Sequence, residues 1–232
     1  MADKHQLGPA PRHQCLIYQG LSSRALSGLA RMLRDKLAAN YCCVYLNSPS
    51  MVTSMQSELA AIGVDVESEL EEGSLVLSSH LDHLTDNKWF NVDRMLQGLE
   101  DALENALKSQ YAGLWATGDM AWEFGPEKGF MKLLEYEWRL EELFQKHPQL
   151  EGVCQYHVDT LPEVAVQEGL LAHPGVLLNH TQSGINPHYI RPENFSDDER
   201  NNPELGEFIQ HLCCPAPDAE IEDVTSPLSN AA

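Results

Sequence analysis

No stretch of this chain approaches the roughly 18–20 uninterrupted apolar residues that a membrane span needs, which excludes a spanning helix. The polar segment Met1 to Arg12, which carries two prolines, lacks the apolar centre of a secretory leader, so a cytoplasmic location is expected. Basic residues are scarce: 15 Lys and Arg stand against 35 Asp and Glu, for a net charge of −20. Binding to nucleic acid depends on neutralising phosphates with Lys and Arg, so direct nucleic-acid binding is excluded. Docking on an anionic membrane surface is excluded on the same ground. No C-x-x-C occurs, and the six cysteines include the vicinal pairs Cys42-Cys43 and Cys213-Cys214. A chain of this size needs no staples, and Cys15, Cys42, Cys43 and Cys154 sit in apolar runs as reduced core residues. Also missing is the G-x-x-x-x-G-K-[ST] loop that grips the phosphates of a bound nucleotide. Magnesium-ATP hydrolysis is therefore not expected. No nucleophile elbow or triad signature is present either, and no catalytic residue or cofactor is assigned.

What is present is an alternation of short apolar runs and amphipathic stretches. The apolar runs Gln14–Tyr18, Tyr41–Leu46, Ser74–Ser78, Gly113–Thr117, Val153–Tyr156 and Val176–Asn179 have the length and apolarity of strands buried on both faces. Val64–Glu67 is expected to be a further short strand. Helical spacing runs over Ser22–Ala39, with Ser22 or Ser23 as cap, over Ser50–Ile62, Asp93–Ser109, Phe130–His147 and Pro162–Leu171. Such alternation builds an α/β fold: a mainly parallel sheet with helices on both faces, in three layers. The expected division is a flexible N-terminus over 1–11, an α/β domain over 12–190, and an acidic, largely flexible tail over 191–232. The tail segment Pro192 to Ala232 holds ten acids and one base. Its one expected helix lies near Leu205 to Leu212.

Ligands of open parallel sheets sit beyond the carboxyl ends of the strands. That rule points to Gln19 and Gly20, Asn47 and Ser48, Ser79 and His80, Gly118 to Met120, His157, and Asn179 and His180. The first strand-to-helix turn, Tyr18-Gln-Gly-Leu-Ser-Ser-Arg24, has one glycine and no lysine, although a helix N-terminus there still attracts anions. Asp119 ends an apolar strand, either as a ligand contact or as the cap of a following turn, with Trp122 beside it as an apolar wall. Two histidine patterns invite a metal: His13-Gln-Cys15 on one side of a strand, and His80-Leu-Asp-His83 one helical turn apart. Neither has further ligands at a matching local spacing, so no metal site is assigned.

The runs His13–Tyr18, Trp115–Trp122, Glu135-Tyr-Glu137, Val153–Tyr156, His173-Pro174 and Asn186-Pro-His-Tyr189 occur in that order. Together they resemble the MEDS family, the sensory domain of methanogens and methylotrophs typified by a dichloromethane-responsive repressor. The resemblance spans about residues 10 to 190. It implies a fold similar to RecA and KaiC-type ATPases and a sensory role, proposed for small hydrocarbon derivatives. Where such domains usually join a DNA-binding or kinase output, this sequence carries neither motif. The expectation is thus a stand-alone sensory domain that reports to a signalling partner, a kinase or a transcription regulator. Its small-molecule contacts are expected from Tyr18, Gly20, Asn47, Asp119, Trp122, Glu135 and Tyr156. Two alternatives stay open. One is a hydrolase of a nucleotide or small ester using Asp119 or Glu135 with a histidine. The other is an interaction module whose cleft is filled and whose business is oligomerisation. Proteins of this fold often form rings, so a homo-oligomer is among the expected assemblies.

Overall fold

The structure is a computed structural model that describes residues 11–20, 22–80, 85–86, 89–124, 130–178 and 182–213. Its elements, in chain order, begin with β1 (His13–Tyr18), α1 (Ser22–Ala38), β2 (Tyr41–Leu46), α2 (Pro49–Ala61), α3 (Val66–Glu72) and β3 (Leu75–Ser78). A two-stranded hairpin of β4 (Thr85–Asp86) and β5 (Trp89–Phe90) follows, then α4 (Val92–Lys108), β6 (Gly113–Asp119) and α5 (Met120–Glu123). The last part is α6 (Leu133–Lys146), β7 (Leu150–His157), α7 (Glu163–Ala172), β8 (Gly175–Leu178), β9 (Gln182–Ile185) and α8 (Pro203–Cys213).

Seven strands form one sheet in the order β3-β2-β6-β7-β1-β8-β9. Every neighbouring pair is parallel except β8 with β9, which is antiparallel. All six residues of β1 are buried, as a strand flanked by helices on both faces requires. Residues alternate between two cores. Leu16, Tyr18, Cys43, Tyr45 and Trp115 face α1 and α2. Cys15, Ile17, Leu114, Cys154 and Tyr156 face the layer of α4, α6, α7 and α8. The chain therefore has the three-layer α/β architecture expected from its alternation.

The helices follow from their apolar spacing and caps. In α1, Leu26, Leu29 and Leu33 are buried; in α4, Leu96, Leu99, Leu103 and Ala106 are. Asn91 caps α4 by accepting the Arg94 amide at 2.9 Å. The chain leaves α1 through Asn40 (φ 63°) and α4 near Gln110 (φ 66°). Left-handed backbone at these points turns the chain back toward β2 and β6.

Two expectations change. Val64–Glu67 is not a strand: Val66 to Glu72 form α3, whose start is capped by Asp65 accepting the Ser68 amide at 3.2 Å. The alternating Val64 and Val66 look extended in sequence, but Asp65 followed by a run of glutamates is a capped helix start. The packed body also continues past residue 190. Helix α8 buries Leu205 and Leu212 in the same core as α6 and α7, so the segment 191–213 is not a loose tail. Arg200 ties it further, donating from Nε to Glu168 at 2.8 Å. Residues 1–10 and 214–232 and the side chains of Ser22 and Ser23 lie outside the described residues, as do Asn179, His180, His83 and Cys214. Among the described residues, no helix is long and apolar enough to cross a membrane.

Candidate functional site

Three adjacent central strands, β6, β7 and β1, end at the same edge of the sheet, and the pairing registers decide what meets there. Tyr18 lies opposite His157, and Asp119 opposite Gln155. Because side chains alternate, Tyr18, Asp119 and His157 all emerge on the α1 side. The Tyr18 and His157 rings stack with centroids 4.7 Å apart and planes within 16°. Asp119 is 9% exposed. Its carboxylate caps α5 by accepting the Trp122 amide at 2.9 Å, and it also accepts the Tyr18 hydroxyl. Burial raises the Asp119 pKa, and these donors together with His157 oppose that rise. Asn47 is buried beside this corner: its amide donates to the Tyr45 hydroxyl at 3.1 Å and its carbonyl accepts the Ser48 amide at 2.8 Å.

The first strand-to-helix turn is stapled to the loop after β7. The Gly20 amide donates to Asp159 Oδ2 at 2.9 Å, and the Gln19 side chain donates to Oδ1 at 3.2 Å. His157 Nε2 lies 3.0 Å from the Gly20 carbonyl. Gly20 has φ 76°, the left-handed backbone that aims its amide at this loop. These two donors, the Gly20 amide first, hold the Asp159 carboxyl below the usual range, so it is ionised. The Gly20 backbone amide, in the turn leading to α1, is thus bonded to the chain's own carboxylate.

The other face of the same strands carries a second polar group, fully enclosed. His13 of β1, Cys154 and Tyr156 of β7, Glu137 and Glu141 of α6, and His173 after α7 meet there. His13 Nδ1 is 3.0 Å from Glu141 Oε2, and His13 Nε2 is 3.5 Å from Glu137 Oε2. His173 Nε2 lies 3.4 Å from the same Glu137 oxygen, while its Nδ1 is 2.6 Å from the Gly169 carbonyl. The Cys154 thiol is 3.5 Å from Glu137 Oε2 and 3.7 Å from His13 Nε2. The Tyr156 hydroxyl donates to the other Glu137 oxygen. Burial opposes charge throughout this group. For His13 the hydrogen bonds to Glu137 and Glu141 outweigh burial, and its pKa is raised. For Glu137 the balance likewise tips against burial, through His173 and His13, and its pKa is lowered. Burial and then the charge on His13 push His173 down to about 4. Burial and then the Glu137 charge raise the Cys154 thiol.

On the same side as the enclosed group, packed on the sheet at Gly118, sits Glu123, at the end of α5 and 1% exposed. Its Oε2 has no hydrogen-bond partner and it packs against Gly118, where a Cβ would fall 1.4 Å from Oε1. A cavity of about 20 Å³, room for one water, opens between Glu123, Tyr136, Cys154 and Phe144. Desolvation first, then Glu137 and Asp119, raise the Glu123 pKa well above the ordinary range, which makes it a neutral acid.

Of the seven residues expected at a ligand site, the structure gathers Tyr18, Gly20, Asn47 and Asp119 at the sheet edge, with half-buried Trp122 on the adjoining turn of α5. Tyr156 is fully buried and belongs to the opposite face. Glu135 lies on the exposed side of α6, 3.6 Å from Arg139 Nη1, and Arg139 in turn pairs with Asp93 at 2.7 Å. It meets neither Asp119 nor a histidine. His13 does find a cysteine, but the partner is Cys154 rather than Cys15, whose thiol turns toward the Gly175 carbonyl at 3.7 Å. The enclosed donors come from four separate elements, which local spacing does not register. Alternation along Val153-Cys-Gln-Tyr-His157 was the available signal, since it separates Tyr156 from His157. The exposed His80 stays outside both groups.

Comparison with known proteins agrees with the reading of the motifs. The chain is similar to the flagellar accessory protein FlaH from Methanocaldococcus jannaschii, with 14% identity over 73% of this chain and 71% of that one, at a TM-score of 0.44. No curated protein matches. The model of the MEDS family, described as the methanogen/methylotroph DcmR sensory domain, matches residues 12–174. The chain belongs to the MEDS family of sensory domains.

Proposed function

We propose that the chain is a sensory module that binds a small molecule at the corner formed by Tyr18, Asp119 and His157 and reports its occupancy to a signalling protein. The observation that carries this reading is the corner itself. Three polar side chains from three adjacent strands converge at the carboxyl edge, while Asp159 already holds the amide that a phosphate would need. Two carboxylates, Asp119 and Asp159, favour a ligand that donates hydrogen bonds, such as an alcohol or amine, over a nucleotide. Family membership supports the sensory role. The output would pass to a kinase or transcription regulator through protein contact, in keeping with a net charge of −20 that disfavours direct binding to nucleic acid.

The test is thermal unfolding of the full chain against small alcohols, amines, halogenated one-carbon compounds and nucleotides, with Asp119→Asn as the partner variant. Asparagine keeps the cap but loses the charge. A ligand at about 100 times its Kd adds about 2.7 kcal/mol, which raises the midpoint of a domain this size by roughly 5–10 °C. That rise is expected for wild type and should vanish in the variant. A midpoint unmoved by the whole panel, or a response that Asp119→Asn leaves intact, refutes the assignment.

A second reading has its own support. The groups at the corner are bonded to one another, Gly20 to Asp159 and Tyr18 to Asp119, as in a filled cleft whose protein serves as an interaction or oligomerisation module. A ligand-independent homo-oligomer by light scattering, together with a silent ligand panel, favours that reading.

A further inference from the structure

We propose that His13, Glu137, Cys154 and His173 form a closed, four-ligand site for one tetrahedral transition-metal ion of the zinc class. These residues offer four donor atoms that lie within 4.8 Å of one another, and all four side chains are buried. The donors are Nε2 of His13 and His173, Oε2 of Glu137 and Sγ of Cys154.

Four of the six edges among these donors have the length of a coordination shell, and the other two lie within 4.8 Å. Zinc binds nitrogen and oxygen at about 2.0–2.2 Å and thiolate sulfur at about 2.3 Å, which makes the edges of the tetrahedron roughly 3.3–3.7 Å. Four of the contacts among these atoms are 3.4, 3.5, 3.5 and 3.7 Å. The two imidazole–carboxylate contacts, at 3.4 and 3.5 Å, are longer than the ~2.7–3.2 Å of an N–H···O hydrogen bond, while the two sulfur contacts have the length of either a thiol hydrogen bond or a shell edge. His173 supplies a second, independent observation. Its Nε2 is fully buried and aimed into the group, yet makes no hydrogen bond.

The outer partners match what metal ligands require. A ligating histidine normally donates its second ring nitrogen to a carboxylate or a backbone carbonyl, which fixes the tautomer and orientation. His13 gives Nδ1 to Glu141, and His173 gives Nδ1 to the Gly169 carbonyl. Glu137 uses its remaining oxygen to accept from Tyr156. Charge also balances: a dication with one thiolate and one carboxylate is neutral, which a fully buried site favours. On binding, the Cys154 thiol proton leaves to solvent and sulfur coordinates as thiolate. The mixture of one sulfur, two imidazoles and one carboxylate suits zinc, cobalt or ferrous iron better than magnesium or calcium. With four protein ligands, all buried, the ion's role is structural.

Because the site is enclosed, the full chain should be loaded during expression and, separately, during refolding with zinc or cobalt. Expected are about one ion per chain by elemental analysis and, for cobalt, the intense visible bands of a tetrahedral site with a thiolate-to-cobalt charge-transfer band. The charge-transfer band should vanish in Cys154→Ser and survive in Cys15→Ser, Cys42→Ser and Cys43→Ser. Where Cys154→Ser does not fold, the wild-type cobalt spectrum decides alone, since a spectrum without thiolate charge transfer removes Cys154 from the shell. Failure to take up either metal under both loading conditions overturns the site, as does a charge-transfer band that persists in folded Cys154→Ser. None of these readouts depends on a ligand at the sheet edge, so this proposal and the sensory reading fail separately.

Discussion

Gly169→Ala separates the tertiary structure from local propensity because the two demand opposite signs. Gly169 lies inside α7, where alanine gains about 1 kcal/mol of helix propensity over glycine. A Cβ at this position, however, would stand 2.4 Å from two atoms of the Tyr156 ring and 2.9 Å from a third. The ring is fully buried and its hydroxyl is held by Glu137, so it cannot swing into solvent. Relieving the overlap means moving the ring by about 1 Å, and overpacking of this kind costs about 1–3 kcal/mol. Moving the ring also strains a hydrogen bond to a charged group, worth about 1.5–3 kcal/mol when lost. The net expectation is a destabilisation of about 2–3 kcal/mol, read as a shift in the urea midpoint at unchanged slope. Tyr156→Leu in the same background should recover part of the loss, giving a coupling that a double-mutant cycle measures. A Gly169→Ala protein more stable than wild type would refute the packing argument outright.

Other outcomes follow from the same geometry. Glu137→Ala should cost about 3–5 kcal/mol by leaving the Tyr156 hydroxyl without its partner and His13 with only Glu141 in the core, whereas Glu135→Ala, two residues away on the exposed face, should stay within about 0.5 kcal/mol; equal effects in urea unfolding would refute the assignment of faces. Glu123→Gln tests a buried neutral acid. Because burial raises its pKa in the folded state, wild type loses stability as pH climbs above the ordinary glutamate range. The glutamine variant lacks that loss, so its stability relative to wild type should increase with pH in unfolding curves from acid to alkaline buffers; a pH-independent difference contradicts the shift. A chain ending at Ile190 forfeits the burial of Leu205 and Leu212, at about 1.5–3 kcal/mol each, and should unfold at markedly lower denaturant than the full chain.

The fold was legible because its signals are local. Each apolar run long enough for a two-sided strand became one, and each leucine stripe became a helix facing the sheet. Failures came where local signals compete. Val64 and Val66 alternate like a strand, but the Asp65 cap and the following glutamates make α3. The segment after 190 is acidic and rich in proline, yet Leu205 and Leu212 of α8 find a core that no local pattern announces. At the sheet edge, Asp119 was legible from its place at the end of an apolar run. Asp159 was not, because nothing in its neighbourhood says that it reaches back across β7 to the Gly20 amide.

The enclosed donors show why the chemistry of this fold was harder to read than its shape. His13 and Cys154 are 141 positions apart and become neighbours only because β1 pairs with β7 in one register, Cys15 opposite Cys154. A slip of β1 by one residue would send His13 to the opposite face from Cys154. The same alternation puts Tyr18 and His157 on one side of these two strands and His13, Cys154 and Tyr156 on the other. Both groups therefore share one pairing, that of β1 with β7. A substitution that loosens this pairing must disturb the edge and the enclosed donors together, whereas one confined to Asp119 or to Glu137 should disturb only its own side.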